Sequence, residues 1–243
     1  MDSSGLAFEA AKLLTDKNGV RAVSRTIGNI TITDVRLNAA AAARAGKRPG
    51  RYITLEGEPY SQGMTALFRR ALLQVLPPRG RLFAAGLGNP DITQDSLGAA
   101  AVRALAARRG RRYSLSAIET DVAVKTGLDT ARLVGAAARE LGADCVIAVD
   151  ALACQDPRRI GRTVQITDAG IIPGGGAGAA RGELTRGRLG VPIAAVGVPT
   201  VTALSSVTGR RSGGRLLITT ADIDAVVRLW AEVLGSGISS LAE

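Results

Sequence analysis

Along the chain, short apolar runs rich in β-branched residues alternate with stretches whose apolar positions recur every three or four residues. That is the pattern of strands crossing over through helices. The segment Gly5 to Lys17 predicts a helix with Leu6, Ala10, Leu13 and Leu14 on one face, and Asn29 to Leu37 and Arg51 to Glu56 predict strands separated by the punctuation Gly46-Lys47-Arg48-Pro49-Gly50. Ser61 to Leu76 predicts an amphipathic helix stopped by Pro77 and Pro78. Leu82 to Leu87 and Cys145 to Val149 are nearly all apolar and bounded by Gly or Asp, the form a parallel strand takes when both its faces are buried. Helical patterns at 96–109 and 129–141 lie between and around these runs, and Thr163 to Thr167, Pro192 to Val198 and Leu216 to Ile218 predict further strands. A last helix carries the stripe Ile223, Val226, Val227, Trp230 and Val233, with Thr219 and Asp222 at capping-box spacing. No repeat and no long linker interrupts this order, so residues 1–243 are expected to form a single α/β domain with a mainly parallel central sheet flanked by helices.

Composition narrows the chemistry. Of 243 residues 46% are apolar and 21% charged, enough apolar material for a core and too little charge for a disordered chain. Aromatic residues are only 3%, so the core must be built from Ala, Val, Leu and Ile. Histidine is absent, which removes Ser-His-Asp and Cys-His nucleophiles, HExxH zinc sites and histidine bases. Any hydrolytic chemistry must then rest on carboxylates or lysines. Two cysteines, Cys145 and Cys154, are too few for a disulfide framework or a four-cysteine zinc site, and a reducing cytoplasm is the expected compartment. Cys145, inside an apolar strand, reads as a small core residue. The net charge of +10 favours encounters with polyanions or acidic peptides without saying which. The start, MDSSGLAFEAAKLL, has no basic segment ahead of an apolar one, so no signal peptide is expected. The uncharged stretch between Arg188 and Arg210 contains Pro192 and Pro199 and reads as a buried strand running into a loop, so no membrane span is expected either.

Candidate chemistry gathers at the ends of predicted strands. Gly86-Leu87-Gly88-Asn89-Pro90-Asp91 begins like a dinucleotide fingerprint, but Asp91 stands where the third glycine belongs and would repel a pyrophosphate. No cofactor and no metal is expected. The segment does provide a tight loop at a strand's carboxyl end, where open α/β sheets place their sites. Asp95 follows at the start of a predicted helix, as an N-cap or as an acid–base group, and Asp150 ends the run Cys145 to Val149, as a partner of backbone amides or as a second acid. If the two strands are neighbours, both acids leave the same sheet edge. Two close carboxylates do not both ionise easily; one holds a proton while the other activates water, which is peptide hydrolysis without histidine, metal or covalent intermediate. Asp168, after Thr163 to Thr167, is a third acid that orients the pair or caps the following turn. That turn, with Gly174, Gly175 and Gly176, either presents N–H groups to an oxyanion or peptide or is a connection requiring positive φ. Arg103, Arg108, Arg109, Arg111 and Arg112 crowd a helix end and its exit, as a solvated face or as a patch for acidic peptides or nucleic acid.

Several blocks taken together resemble one family, the germination protease of endospore-forming bacteria, an atypical aspartic-type endopeptidase. They are GLGNPDITQDSLG from Gly86, KTGLDTARLV from Lys125, CVIAVDALACQDPRRIGRTVQITDAGIIPGGGAG from Cys145, RLGVPIAAVGVPTVTAL from Arg188 and LLITTADIDAVVRLWAEVLGSGI from Leu216, with weaker similarity in GLAFEAAKLL and GKRPGRYITLE. The resemblance runs in order along nearly the whole chain. It implies a fold similar to that of hydrogenase-maturation proteases, and it carries the family's two essential aspartates onto Asp95 and Asp150, with Asp168, Gly174, Gly175, Gly176 and Asn89 as supporting or substrate-binding residues. It further implies cleavage of small acid-soluble spore proteins in the spore core during germination, a homo-oligomer of the tetrameric kind, and synthesis as a zymogen. Nucleic acid enters only indirectly, through the DNA those substrates coat. The family's T-P-D-A-L-G-P reads here Thr93-Gln94-Asp95-Ser96-Leu97-Gly98-Ala99, its D-T-G-I reads Asp168-Ala169-Gly170-Ile171, and its P-G-S-G-V-G-N reads Pro173-Gly174-Gly175-Gly176-Ala177-Gly178-Ala179. Its opening T-D-L-A-V-E-A is matched by Ser4 to Ala10 with Gly5 in the acid's place, so zymogen processing of the usual kind is not expected. Two other readings stand beside this one. One is a non-catalytic relative that binds nucleic acid or acidic peptides through its arginines. The other is a peptidase of related fold that trims a metalloprotein using nickel, against which the absence of histidine counts.

Overall fold

A computed structural model describes residues 6–172, 182–208 and 216–243. The first part of the chain runs α1 (Ala7–Leu13), β1 (Val20–Ile27), β2 (Ile30–Leu37), α2 (Ala39–Arg44), β3 (Gly50–Glu56), α3 (Met64–Leu72), β4 (Gly80–Gly86), α4 (Leu97–Arg103), β5 (Arg108–Arg109) and β6 (Tyr113–Glu119). It continues with α5 (Ala123–Thr126), α6 (Thr130–Glu140), β7 (Cys145–Cys154), β8 (Thr163–Thr167), α7 (Arg186–Leu189), β9 (Ile193–Ala203), α8 (Leu204–Thr208), β10 (Leu217–Ile218) and α9 (Ile223–Ser239). The strands form one sheet in the order β1-β2-β3-β8-β9-β7-β4-β6-β5, with β10 beside β9. Its centre, β9-β7-β4-β6, is parallel, as the apolar runs predict, and antiparallel strands extend it on both sides.

The central strands are apolar throughout because both faces are covered. Along β7, Cys145, Ile147 and Val149 face a core that includes Leu97 of α4 and Trp230 and Leu234 of α9, while Val146 and Ala148 face Val134 and Ala138 of α6 and Leu189 of α7. By length and composition Ile223–Ala242, α9 with the 3₁₀ turn that follows it, is long and apolar enough to cross a bilayer, but most of it is buried inside the fold. Its Trp230 is fully buried and donates from Nε1 to the Gly161 carbonyl at 2.6 Å. α1 is fastened by Arg159, which pairs with Glu9 at 3.1 Å and with Glu56 and stacks over the Phe8 ring at 4.3 Å.

Several expectations are corrected. β7 does not end at Asp150; Ala151 to Cys154 continue it, because β9 runs to Ala203 and pairs with them across a register shift after Leu152. The capping box at the start of α9 does not form, since the Thr219 hydroxyl donates to the Thr200 carbonyl and Asp222 makes no side-chain cap. The helix expected over 96–109 is shorter: it ends at Arg103, which does sit at a helix end, and Arg108 and Arg109 beyond it lie on the edge strand β5. There Arg103 pairs with Glu119 and Arg108 with Glu243, the kind of charge that blunts an exposed sheet edge.

Candidate active site

Three glycines bring the site together. β4 ends at Gly86, and the next amide, that of Leu87, donates to the Val149 carbonyl at 2.8 Å, tying the carboxyl end of β4 to the middle of β7. A Cβ on Gly86 would lie 2.2 Å from the Gly98 carbonyl oxygen, and one on Gly98 would lie 2.4 Å from the Val149 oxygen. Side chains are excluded at both positions, and α4 therefore sits directly on the strand ends. Gly88 has φ +99°, and a Cβ there would meet the Asp95 carbonyl at 2.0 Å. The fingerprint-like glycines thus serve close backbone approach.

Asp95 closes a 3₁₀ turn, Thr93–Asp95, over this junction. Its Oδ2 accepts from the Asn89 amide at 2.8 Å, and the turn is held from the other side by the Thr200 hydroxyl of β9, which donates to the Gln94 carbonyl at 2.6 Å. Asp150 stands one residue past Val149 in β7, level with Gly197 of β9 and only 1% exposed. The amide of Ala151 donates to its Oδ1 at 2.9 Å. β4, which leads into the Asp95 turn, and β7, which carries Asp150, are adjacent and parallel, so both acids lie toward the same edge of one sheet. Beside Asp95 opens a cleft of about 200 Å³ walled by Asp95, Ile92, Ala151, Leu152, Thr200 and Ile218; Asp150 does not line it. Burial pushes the Asp95 carboxyl above the ordinary carboxylate range; the Asn89 amide opposes that shift and the negative charge of Asp121 adds to it.

Asp121 and Lys125 are residues the sequence reading did not single out. Asp121 follows β6, the strand on the far side of β4, and so reaches the same edge. Lys125 Nζ lies 2.7 Å from Asp121, 2.6 Å from Asp91 and 3.4 Å from Asn89 Oδ1. It therefore braces the loop whose Asn89 amide holds Asp95. Hydrogen bonding to Lys125 holds the Asp121 carboxyl low, and the same bond raises the lysine.

Asp168 is not at this edge. β8 runs antiparallel to β9 with Thr167 level with Ala195, which is level with Ala148 in β7. Asp168 is thus displaced from Asp150 by two strands and about three residues, roughly 14 Å at ordinary strand spacings. Its Oδ1 accepts from the Arg51 amide at 2.7 Å, so it caps the start of β3 and does not orient the pair. Gly174, Gly175 and Gly176 lie outside the described residues. The flanking chain is joined by a bridge between Ile171 and Leu184. Both cysteines are buried core residues, with burial raising each thiol to about 12.

A family model described as germination protease matches residues 7–212 of the chain. Among similar curated proteins are the germination proteases of Bacillus cereus (strain ATCC 10987 / NRS 248), 34% identical, Bacillus mycoides (strain KBAB4), 34% identical, and Bacillus thuringiensis subsp. konkukian (strain 97-27), 33% identical. In each case the match covers 84% of this chain and 64% of the relative, so the chain spans under two thirds of the length of these relatives. Among solved structures, a [NiFe] hydrogenase maturation protease HycI from Thermococcus kodakarensis KOD1 is similar over 69% of this chain and 98% of its own, at 17% identity and a TM-score of 0.41.

Proposed function

The chain belongs to the germination protease family, and from that premise we propose that it is an endopeptidase that cleaves small acid-soluble spore proteins by a carboxylate mechanism. The observation that supports the reading is that the Asp95 turn packs where β4 ends against β7, the adjacent parallel strand that carries Asp150, with a cleft beside Asp95 able to take a substrate side chain. In this mechanism Asp150, which accepts a hydrogen bond from the Ala151 amide, takes a proton from water as the water oxygen attacks the scissile carbonyl. Asp95, the acid that burial makes reluctant to ionise, donates its proton to the carbonyl oxygen. Collapse of the tetrahedral intermediate transfers a proton to the leaving amine, and the two carboxyl groups return to their starting states. Lys125 keeps the Asn89 loop in place and tempers the negative charge of Asp121 beside the acid.

The test is incubation of the purified chain, wild type beside Asp95→Asn and Asp150→Asn, with a small acid-soluble spore protein, with fragments read by mass spectrometry and folding by circular dichroism. Discrete cuts by the wild type, slowed by about 10²-fold or more in each folded variant, support the pair as acid and base. Wild-type cuts that persist in either variant remove that residue from the chemistry. No cuts by folded wild type at any pH or salt favour the non-catalytic relative.

A further inference from the structure

We propose that the outer face of the β1–β2 hairpin is a docking site for an extended acidic polypeptide segment, which adds as a strand to the free edge of β1. The proposal goes beyond the peptidase reading and does not depend on it. β1 is the last strand on its side of the sheet, so among the described residues one row of its backbone N–H and C=O groups has no neighbouring strand. On one face of the hairpin Arg21 stands opposite Arg36, and two residues along each strand Val23 stands opposite Asp34, followed by Arg25 opposite Ile32. These side chains, with Ile53 and Gln74, line a groove of about 320 Å³.

The charge of this groove is unbalanced. Its one acid, Asp34, is engaged by Arg51 at 2.6 Å. Arg21, Arg25 and Arg36 are exposed and make no ion pair or side-chain hydrogen bond among the described residues. Like charges directly opposite each other across a strand pair destabilise it. Charge on β1 alone would protect a sheet edge, as on β5; protection does not require a second arginine opposite it on β2. An incoming carboxylate between Arg21 and Arg36 relieves their repulsion and takes forked hydrogen bonds from both.

Strand geometry fixes the ligand's pattern. A segment paired with β1 sets every second side chain over this face, so acidic, apolar and acidic residues at i, i+2 and i+4 fall beside Arg21, Val23 and Arg25. The exposed Val23, the floor residue Ile32 and the free edge favour a peptide over a nucleic-acid strand, and no aromatic residue lines the groove for a base to stack on. The groove lies five strand positions from β7, roughly 24 Å from the aspartate edge.

The test uses fluorescence anisotropy with a labelled peptide that alternates Glu with Val and Thr, titrated with the whole chain. The variant Arg21→Gln/Arg25→Gln/Arg36→Gln is compared with the charge-matched Arg109→Gln/Arg111→Gln/Arg132→Gln, circular dichroism verifying that both fold. The expected result is binding that weakens with salt, falls about tenfold or more in the first variant and changes little in the second. A peptide N-methylated at alternate residues, which keeps its charge and cannot complete a strand ladder, should also bind about tenfold more weakly. Equal loss in the two variants, undiminished binding of the N-methylated peptide, or preference for a single-stranded oligonucleotide of equal charge would each overturn the proposal.

Discussion

Replacing Gly98 by alanine sets two calculable effects against each other. In a helix the change is favourable by up to about 1 kcal/mol, because alanine loses less backbone freedom on ordering. At Gly98 the new Cβ would stand 2.3 Å from the Leu87 nitrogen and 2.4 Å from the carbonyl oxygens of Leu87 and Val149. All three are backbone atoms, of the residue that follows β4 and of the interior of β7, which must retreat by about 0.6 Å or more; overpacking of this kind costs about 1–3 kcal/mol. The retreat also strains the Leu87–Val149 hydrogen bond, a net contribution near 1 kcal/mol. The clash wins, with a net loss of about 1–3 kcal/mol. Gly187 is the matched control: it lies in α7 with nothing within 4 Å of its Cβ position, and its alanine variant should be neutral or slightly stabilised. Urea unfolding of the two variants measures both signs. Because the displaced atoms carry the Asp95–Asp150 junction, cleavage by Gly98→Ala should fall by about 10²-fold even where the protein remains folded. A Gly98→Ala protein as stable as wild type would refute the close-approach account of this glycine.

The remaining expectations concern charge and anchoring. Lys125→Met unbalances Asp121 and Asp91 beside the acid, so the Asp95 carboxyl should rise further and the alkaline limb of the pH–rate profile should move up; Asp121→Asn should move it down. Because the folded-state affinity of Asp95 for its proton is raised, its contribution to stability is present at acid pH and lost as pH rises through the folded value. Asp95→Asn should therefore be at least as stable as wild type at pH 7 and lose that advantage on acidification, as read by denaturation across pH. Arg159→Met leaves Glu9 buried without its cation and should cost about 3–5 kcal/mol, with limited proteolysis near α1 showing the helix released. Trp230→Phe strands the Gly161 carbonyl and opens a cavity, an expected loss of about 2–4 kcal/mol in thermal or urea unfolding.

What the sequence made legible follows from burial. β4 and the first halves of β7 and β9 lie between two covered faces, and their unbroken apolar runs announced them, while β8 alternates Thr163, Gln165 and Thr167 with the core residues Val164 and Ile166. β1, which reads Val-Arg-Ala-Val-Ser-Arg-Thr-Ile, packs almost nothing against the core and carries no periodic signal. β6 was the costlier omission: Tyr113 and Leu115 are buried at alternate positions, and recognising that strand would have placed Asp121 at the same edge as Asp95. Asp95 and Asp150 were found because Asp150 follows the legible apolar run of β7 and Asp95 lies in the loop that leaves the legible β4. Asp168 was misplaced by the same rule, since β8 runs against the parallel block and its carboxyl end lies at the opposite edge. Direction, which no single run reveals, decides which strand ends meet.

The two cysteines mark the opposite ends of β7, so its nine residue steps hold the thiols roughly 30 Å apart. A straight strand cannot fold back to join them, and both thiols stay protonated and enclosed at neutral pH. The strand that carries Asp150 is thus bracketed by two silent nucleophiles, each exposed only when its own end of the ladder opens. Alkylation under native conditions, read thiol by thiol, would time the separate loosening of the two ends, giving an internal clock for the breathing of the segment on which hydrolysis is expected to depend.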